Sequence, residues 1–556
     1  MKKLLFFSPA LIILLSSCNK MLEEDVRSQA VYNYLLTANG FEDLVKGSYS
    51  SLKNFYGQER GMTLTVFGTD TYTFGADGAY KFVNQYTPQL DGSLSIIREI
   101  WNEAYVSINT CNIAIDTAAS VKGLSEKTKT TRIAEAKFLR AQNFFILAQM
   151  FGPIPLPLKG NTSVVTEATR EPLNKVYAAI ISDLESAVAN LEMAPSDYGR
   201  ASKPAAEHLL ARVYLTKATS SAKEATDYAK ALEYAKKVMT GYSFKLLPDF
   251  AKVFEQGSGE RNDEVIWAVQ NTNDPRTNGD GNRAHLYFLM EYDVLPGMQR
   301  DVENGRPFKR FRPTNFTLDS LFRDRVNDAR YEKSFKHVFY SNNALTIPKW
   351  TASDAPNQSL VGKPKFAVGD TSIYLPGFEV SADFIKSKPY AVYPPSKYTA
   401  KVYPTLSKFL DPLRPDRTFE QGSRDFLAFR LAETYLIAAE AAMYTGDLTA
   451  AANYINAVRL RAARTGSDAA QNAAYKAAMT ISPERVNIDF ILDERGRELL
   501  GEQFRWFDLV RTGKLIERVK KWNPDAQAIK DYHVLRPIPQ DQIDRTANTF
   551  AQNQGY

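Results

Sequence analysis

The chain has 556 residues, 69 of them Lys or Arg and 63 Asp or Glu, which gives a formal net charge of +6. Hydrophobic residues make up 44% of the sequence, charged residues 24% and aromatic residues 12%. This composition is typical of a soluble globular protein that can bury a large core. The charge is too small and too evenly spread to indicate nucleic-acid binding.

The first 18 residues have the pattern of a lipoprotein signal. Lys2 and Lys3 form a charged start, an apolar run of 12 residues follows from 4 to 15, and small residues precede Cys18. This run is shorter than the roughly twenty residues that a membrane helix needs. We therefore predict a signal peptide over 1–17 and lipidation of Cys18, with a plain secretory signal as the alternative.

Helical patterns fill most of the chain from 18 to 260. The segment TRIAEAKFLRAQNFFILAQMFGPIPLPL predicts a long amphipathic helix that ends at Gly152, because the prolines after it force an extended path. A helical hairpin is predicted over 204–219 and 225–239. With NKVYAAIISDLESAVANLE between them, these units are typical of repeats that stack into a curved scaffold.

Two segments, 55–91 and 261–424, lack helical periodicity and are rich in aromatic and turn-forming residues. The second begins with EVIWAVQ, which predicts a short strand. Long irregular segments are uncommon in a compact protein and are often functional.

The clearest helical hairpin lies at the start of the C-terminal region, 425–556. Apolar residues recur at helical spacing on both sides of Gly446-Asp447, which predicts the turn. Ala439 and Ala451 stand where a tetratricopeptide-like pair needs small side chains at the helix contact. An ordinary helical hairpin is the alternative.

Charged residues follow this hairpin at spacings of three or four. They are Glu494, Arg495, Arg497, Glu498, Arg505, Asp508 and Arg511. We interpret them as a structural ion-pair network rather than as an acid/base pair for catalysis. Cys111 lies in an apolar helical pattern and is interpreted as a buried, inert thiol.

Four pieces of the C-terminal region resemble, in order, the signature of the RagB/SusD family of nutrient-binding outer-membrane lipoproteins. They are RLAETYLIAAEA, INAVRLRA, ERGRELLGEQFRWFDLVRTGK and the terminal LRPIPQDQIDRTANTFAQNQGY. Asp328 and Arg330 are similar to the family's Asp-x-Arg turn. The resemblance implies a repeat-based α-helical fold, lipid anchoring on the outer face of the outer membrane, a SusC-like TonB-dependent transporter as partner and usually a glycan as ligand.

The predicted fold class is mainly α, a tetratricopeptide-like scaffold of helical hairpins with two loop-rich, aromatic insertions and minor β structure. We predict a single SusD-like domain over 18–556. Its parts are a helical half over 18–260, a loop-rich insertion over 261–424 and the signature region over 425–556.

The ligand site is predicted from the local residues of the two insertions, because the binding residues of the family form no transferable motif. Aromatic rings stack on the C–H face of a sugar, while planar polar side chains pair with its hydroxyl groups. The candidate residues are Asp70, Tyr72, Phe74, Tyr80, Phe82, Tyr287, Tyr292 and Trp350, with His285, Phe288 and Tyr374 as further possibilities.

We predict that the two insertions converge in space, since neither alone supplies both stacking rings and enough polar groups. Tyr72, Tyr80 and Trp350 are the predicted stacking residues, and Asp70 is the predicted partner of a hydroxyl group. Trp101 and Trp267 fall in regular patterns and are assigned to the core.

No cofactor or metal site is predicted, because none of the four histidines belongs to a metal-binding spacing. The asparagine-rich segment 271–282 offers oxygen atoms of the kind that calcium binds, but it lacks the closing glutamate of an EF-hand loop. A polar connecting loop is the preferred interpretation.

The predicted function is that of a surface lipoprotein that binds a glycan without chemistry and delivers it to its transporter. Two alternatives stay open. One is the same role with a peptide cargo, and the other is a surface glycosidase that uses two carboxylates. Because nothing marks such a carboxylate pair, we do not predict an enzyme.

Overall fold

The computed structural model describes residues 32–556. In chain order, its helices are α1 (Tyr32–Leu35), α2 (Ala38–Ser50), α3 (Glu59–Thr65), α4 (Lys81–Gln85), α5 (Ser95–Thr117), α6 (Glu126–Phe151), α7 (Leu173–Asn190), α8 (Lys203–Lys217), α9 (Asp227–Thr240), α10 (Pro275–Asn278), α11 (Ala284–Tyr287), α12 (Arg330–Ser334), α13 (Ala382–Lys386), α14 (Leu431–Tyr444), α15 (Leu448–Ala462), α16 (Ala469–Met479), α17 (Ile488–Glu498), α18 (Arg505–Arg511), α19 (Leu515–Trp522) and α20 (Gln540–Arg545). None of these helices is both long enough and apolar enough to cross a bilayer. The predicted signal peptide and Cys18 lie outside the described residues.

The strands are short and lie mainly in the insertions. They are β1 (Tyr72–Phe74), β2 (Val265–Val269), β3 (Phe311–Pro313), β4 (Phe335–Lys336), β5 (Val338–Tyr340), β6 (Thr371–Tyr374), β7 (Ala391–Val392), β8 (Thr405–Leu406) and β9 (Phe426–Arg430). Within the described chain, β1 pairs with β3, β2 with β9 and β4 with β8, all antiparallel. In the remaining sheet, β6 pairs antiparallel with β5 and parallel with β7.

The helices form a stack in which chain neighbours pack on each other. In order of contact the stack runs α5, α6, α7, α8, α9, α14 and α15. The insertion therefore leaves the stack after α9, and α14 takes the next place. Tyr228 of α9 and Tyr444 of α14 bring their ring centroids to 4.4 Å across this junction. The mainly helical, tetratricopeptide-like fold predicted from the sequence is confirmed.

Small residues let the hairpin helices approach closely. Ala439 of α14 and Ala451 of α15 have no exposed surface and share one apolar cluster. Gly446 takes a φ of +89° at the turn between these helices, and the Asp447 carboxylate then accepts a hydrogen bond from the Ala450 amide at 2.8 Å. The turn and the two contact positions agree with the predicted hairpin.

A buried ion-pair network fixes α17 against the rest of the molecule. Glu494 and Glu498 have no exposed surface, and Arg330 pairs with both of them at 2.7 and 3.1 Å. Glu498 also pairs with Arg430 at 2.7 Å and with Arg461. Because every carboxylate here faces a guanidinium group, the interpretation as a structural network is confirmed.

The main core contains residues from all three predicted parts of the chain, among them Phe41, Phe288 and Phe550. Trp101 and Trp267 are buried in this core, as predicted. Cys111 is buried and carries a free thiol, and burial raises the pKa of this thiol to about 11. The predicted boundaries at 260 and 424 stay predictions.

Candidate functional site

The two aromatic insertions meet through a small sheet. In the register of β1 and β3, Tyr72 lies opposite Pro313 and Phe74 opposite Phe311. The rings of Tyr72 and Phe288 also contact edge to face, with 5.1 Å between their centroids. The predicted convergence is therefore present for the segments near 72 and 311, although much of it forms core rather than an open surface.

Asp70 is not available to a ligand, which corrects its predicted role. Its carboxylate is fully buried and accepts hydrogen bonds from Arg505 at 2.7 and 2.6 Å and from Arg518 at 2.7 Å. Burial alone would raise the pKa of Asp70, but the two guanidinium groups outweigh it and lower this pKa below its ordinary value. Asp70 is part of the structural ion-pair network.

Three of the aromatic candidates for the ligand site are likewise buried, which makes their assignment wrong, and Tyr72 is the one of them that was a predicted stacking residue. Tyr72 and Tyr292 have no exposed surface and Tyr287 is 1% exposed. Tyr292 stacks on Phe339 with 5.3 Å between centroids, and Tyr287 contacts Phe311 at 5.9 Å. These rings anchor the insertions to the core instead of facing solvent.

Of the further candidates in the second insertion, two are buried and one is half-buried. Phe288 is buried, and so is His285, whose Nε2 lies 2.9 Å from the carbonyl oxygen of Glu420. Burial lowers the pKa of His285 to about 3, helped by the charge of Arg414. Tyr374 is half-buried at the end of β6.

Phe74, Tyr80, Phe82 and Phe308 are half-buried and pack against the main core with part of each ring exposed. We call these four rings the aromatic ledge. Tyr80 and Phe82 contact edge to face with 6.2 Å between centroids. The ammonium of Lys81 lies 5.5 Å from the Phe74 ring. Tyr80 and Phe82 form an adjacent pair of partly exposed rings.

Charged side chains surround the aromatic ledge. Lys309 pairs with Asp77 at 2.9 Å, and Arg310 pairs with Glu59 at 2.7 Å. The guanidinium of Arg310 also lies 5.2 Å from the Phe308 ring. Rings beside planar polar groups are the combination that sugar recognition needs. The arrangement therefore supports stacking and hydroxyl pairing but contains no evident acid/base pair.

Backbone pairing holds the two sides of the ledge together. The amide of Gly75 donates to the carbonyl of Arg310 at 2.9 Å, and that of Asp77 donates to Lys309 at 3.3 Å. A Cβ at Gly75 would lie 2.2 Å from the Lys309 carbonyl oxygen, so only glycine permits this approach.

Phe308 and its charged neighbours were missed by the sequence analysis. The signal is visible in RPFKRFR over 306–312, where basic and aromatic residues alternate. By its local pattern, this segment is predicted only as part of a long irregular insertion. Its importance follows only from the pairing of β3 with β1.

Trp350 lies in a local hairpin of the second insertion. Its amide donates to the Lys363 carbonyl at 2.9 Å, and the Lys365 ammonium lies 4.9 Å from its ring. Within the described residues, no hydrogen bond or ring contact of Trp350 reaches the segment 74–82. Trp350 is partly exposed, and its role as a stacking residue stays a prediction.

The asparagine-rich segment uses its side-chain oxygens within the protein. The Oδ1 of Asn278 accepts from the Thr272 amide at 3.0 Å, and the Oδ1 of Asn282 accepts from the Ala284 amide at 3.0 Å. Across residues 32–556, no group of three or more His, Cys, Asp or Glu side chains is placed to hold a metal. The lack of a cofactor stays a prediction.

The chain belongs to the SusD family. The sequence model of the SusD family matches residues 263–556, and a second model, described as starch-binding and associating with the outer membrane, matches residues 23–215. The resemblance seen in the sequence is therefore confirmed.

Relatives match over almost the full chain. The SusD-like protein P2 of Formosa agariphila is 26% identical over 579 residues and covers 100% of both chains. The starch-binding protein SusD of Bacteroides thetaiotaomicron is 25% identical over 512 residues, 85% of this chain and 82% of that protein. Among solved structures, a laminarin-binding SusD-like protein superposes with a TM-score of 0.68 at 21% identity and covers 94% of this chain and 100% of its own. NanU of B. fragilis also gives 0.68, at 20% identity and with 96% and 100% covered.

Proposed function

We propose that this protein binds a glycan at the cell surface and delivers it to a SusC-like TonB-dependent transporter. Membership of the SusD family supports this role, because named relatives bind starch and laminarin. The observation that carries the proposal within this chain is the aromatic ledge with its charged surroundings. Binding needs no chemical step here, since the densest group of buried carboxylates is used in ion pairs.

Tyr80 and Phe82 are proposed as the main stacking residues. Their rings are partly exposed, they contact each other, and Asp77 and Arg310 lie on the same paired segments. A pyranose ring on this pair would place its hydroxyl groups near carboxylate and guanidinium groups. The four rings are half-buried and not enclosed, which suits an extended chain of sugars better than a peptide held in a deep cleft.

The double variant Tyr80→Ala/Phe82→Ala is expected to weaken glycan binding roughly tenfold to a hundredfold, because each ring contributes about 1 kcal/mol or a little more. Calorimetry with soluble starch and laminarin, preceded by a glycan array, measures this loss. The melting temperature is expected to change little, since both rings are only half-buried.

The matched control is Tyr340→Ala/Phe378→Ala, which removes the same two kinds of ring where they are 57% and 58% exposed. This variant should bind like the parent. Equal losses in both variants would show that the ledge is not the site. If the parent protein binds no saccharide on the array but captures peptides, the cargo is a peptide and not a glycan.

Anchoring through Cys18 is proposed from the sequence pattern at the N-terminus and from the family. The Cys18→Ala variant is expected to move from the outer-membrane fraction to the soluble fraction, because each buried CH₂ of an acyl chain contributes about 0.8 kcal/mol. Capture of the wild-type protein from detergent-solubilised membranes is expected to retain a TonB-dependent transporter. A variant that stays in the membrane argues against the anchor, and capture without a transporter argues against the partner.

A further inference from the structure

A cleft of about 600 Å³ opens on the surface of the described chain. It lies between the end of α2, the loop 196–200 that precedes α8, and the end of β2. Its lining includes Lys46, Lys53, Tyr198, Arg200, Arg261 and Trp267. This volume is within the range of small-ligand sites and is about twenty times the share of one water molecule in the liquid. The cleft has no lining residue in common with the aromatic ledge.

Basic side chains dominate the cleft. Four of its lining residues are Lys or Arg and one, Asp197, is acidic. Arg200 is already paired, with Glu135 at 2.9 Å and with Asp197 at 3.0 Å. Lys46, Lys53 and Arg261, by contrast, form no ion pair with any residue between 32 and 556. The lining therefore carries cations whose charge its own carboxylates leave uncompensated.

Lys53 is held with hydrogen-bonding capacity to spare. Its ammonium donates to the carbonyl oxygen of Thr277 at 3.1 Å, and an ammonium has three N–H donors. Burial lowers the pKa of Lys53, while Asp425 acts in the opposite direction. Asp425 is a weak counter-ion, because burial raises its own pKa to about 7. Burial also raises the pKa of the neighbouring Glu260.

The walls of the cleft are fixed by contacts within the protein. The guanidinium of Arg261 lies 4.5 Å from the Tyr198 ring, and the Trp267 indole donates to the Gly199 carbonyl at 2.9 Å. Gly199 has a φ of +91°, and a Cβ there would lie 2.6 Å from the Gln270 side chain. Glycine is favoured at this point of the loop because other residues rarely adopt a positive φ of this size. A preformed cleft of this kind loses little conformational freedom on binding.

We infer that this cleft binds the anionic group of an acidic saccharide, a carboxylate or a sulfate ester, so that the cargo is a negatively charged glycan. Lys53 and Arg261 pair with the anion, and the exposed part of Tyr198 contacts the sugar ring. The space beyond the cations is large enough for sugar as well as for the charged group. This inference rests on the proposed function, since it names the class of glycan.

The test measures the binding of three tetrasaccharides to the mature protein by calorimetry: a galacturonate, a sulfated galactan and a neutral galactan. At least one acidic probe is expected to bind about tenfold more tightly than the neutral one, with a preference that weakens as salt is added. Whichever acidic probe binds more tightly shows whether the cleft prefers a carboxylate or a sulfate ester. Lys53→Gln/Arg261→Gln is expected to lower the affinity for that probe about tenfold or more.

The matched control is Lys349→Gln/Arg417→Gln, which removes one Lys and one Arg charge at exposed positions outside the cleft. It should leave the affinity unchanged. If both double variants weaken binding equally, the attraction is a diffuse charge effect and the inference is wrong. It is also wrong if neither acidic probe binds more tightly than the neutral one.

The ledge variant Tyr80→Ala/Phe82→Ala separates failure of this inference from failure of the proposed function. If neutral glycans bind through the ledge and acidic ones show no preference, the cleft assignment fails and glycan binding stands. If no saccharide binds, neutral or acidic, both fail together.

Discussion

Replacing Arg330 by methionine is expected to lower the free energy of unfolding by about 3 to 5 kcal/mol, the range for breaking one side of a buried ion pair. Arg330 has no exposed surface and pairs with Asp328 at 2.6 Å and with Glu494 at 2.7 Å. The variant leaves these carboxylates buried with less compensation. Urea denaturation followed by circular dichroism measures the change.

Arg545→Met is the matched control. The side chain of Arg545 is 79% exposed and pairs with Asp541 at 3.5 Å on the surface. Surface pairs contribute little to stability, so this variant should unfold at the urea concentration of the parent. An Arg330→Met protein that also unfolds there would show that the network around α17 is not important for stability.

The helical part of the fold could be predicted because its signal is local. An amphipathic helix repeats its apolar residues every three or four positions, and a hairpin adds a turn that glycine marks. The hairpin around Gly446 shows this, since Ala439 and Ala451 were placed at the helix contact from spacing alone. The charges of α17 were likewise assigned to a network from their spacing.

Asp70 shows why the site could not be predicted in the same way. Its partners Arg505 and Arg518 follow 435 and 448 residues later. The local sequence therefore offered no explanation for this carboxylate except a ligand. The predicted role of Tyr72 was wrong for a related reason. Strand β1 has only three residues, so no alternation of apolar and polar side chains shows which of its faces is buried.

The basic cleft was equally hidden from the sequence. Lys46 and Lys53 come from the end of α2 and the turn after it, whereas Arg261 follows more than 200 residues later. Each is an ordinary surface charge when the sequence is considered alone. Their shared surface depends on the packing of the loop 196–200 against β2, through contacts such as that of Trp267 with Gly199.

Acid is expected to destabilise the protein in two stages, and the first stage arises from the buried histidines. Burial lowers the pKa of His285 to about 3 and that of His533 to about 4. The unfolded chain takes up these protons near pH 6.5, while the folded chain resists them. Stability is therefore lost progressively as the pH falls from about 6.5 to these lower values. Asp425 opposes the loss above about pH 4, because its raised pKa lets the folded chain take up a proton first.

The second stage arises from protonation of the buried carboxylates. Burial alone would raise the pKa of Glu498, but Arg461, Arg430 and Arg330 outweigh it and bring this pKa to about 2. An unfolded glutamate binds its proton near pH 4.3, so the stabilisation is complete above about pH 5 and is lost as the pH falls towards 2.

Urea denaturation at a series of pH values between 7.5 and 2.5 is expected to show a midpoint that declines below pH 6.5 and declines more steeply below pH 5. The variant His285→Gln keeps a donor for the Glu420 carbonyl but cannot take up a proton, so its decline between pH 6.5 and 4 should be shallower than that of the parent. The steep decline below pH 5 should persist in this variant, because Glu498 is unchanged. A midpoint that stays constant down to pH 3 would contradict both stages. If the decline between pH 6.5 and 4 is as steep in His285→Gln as in the parent, His285 does not contribute to the first stage.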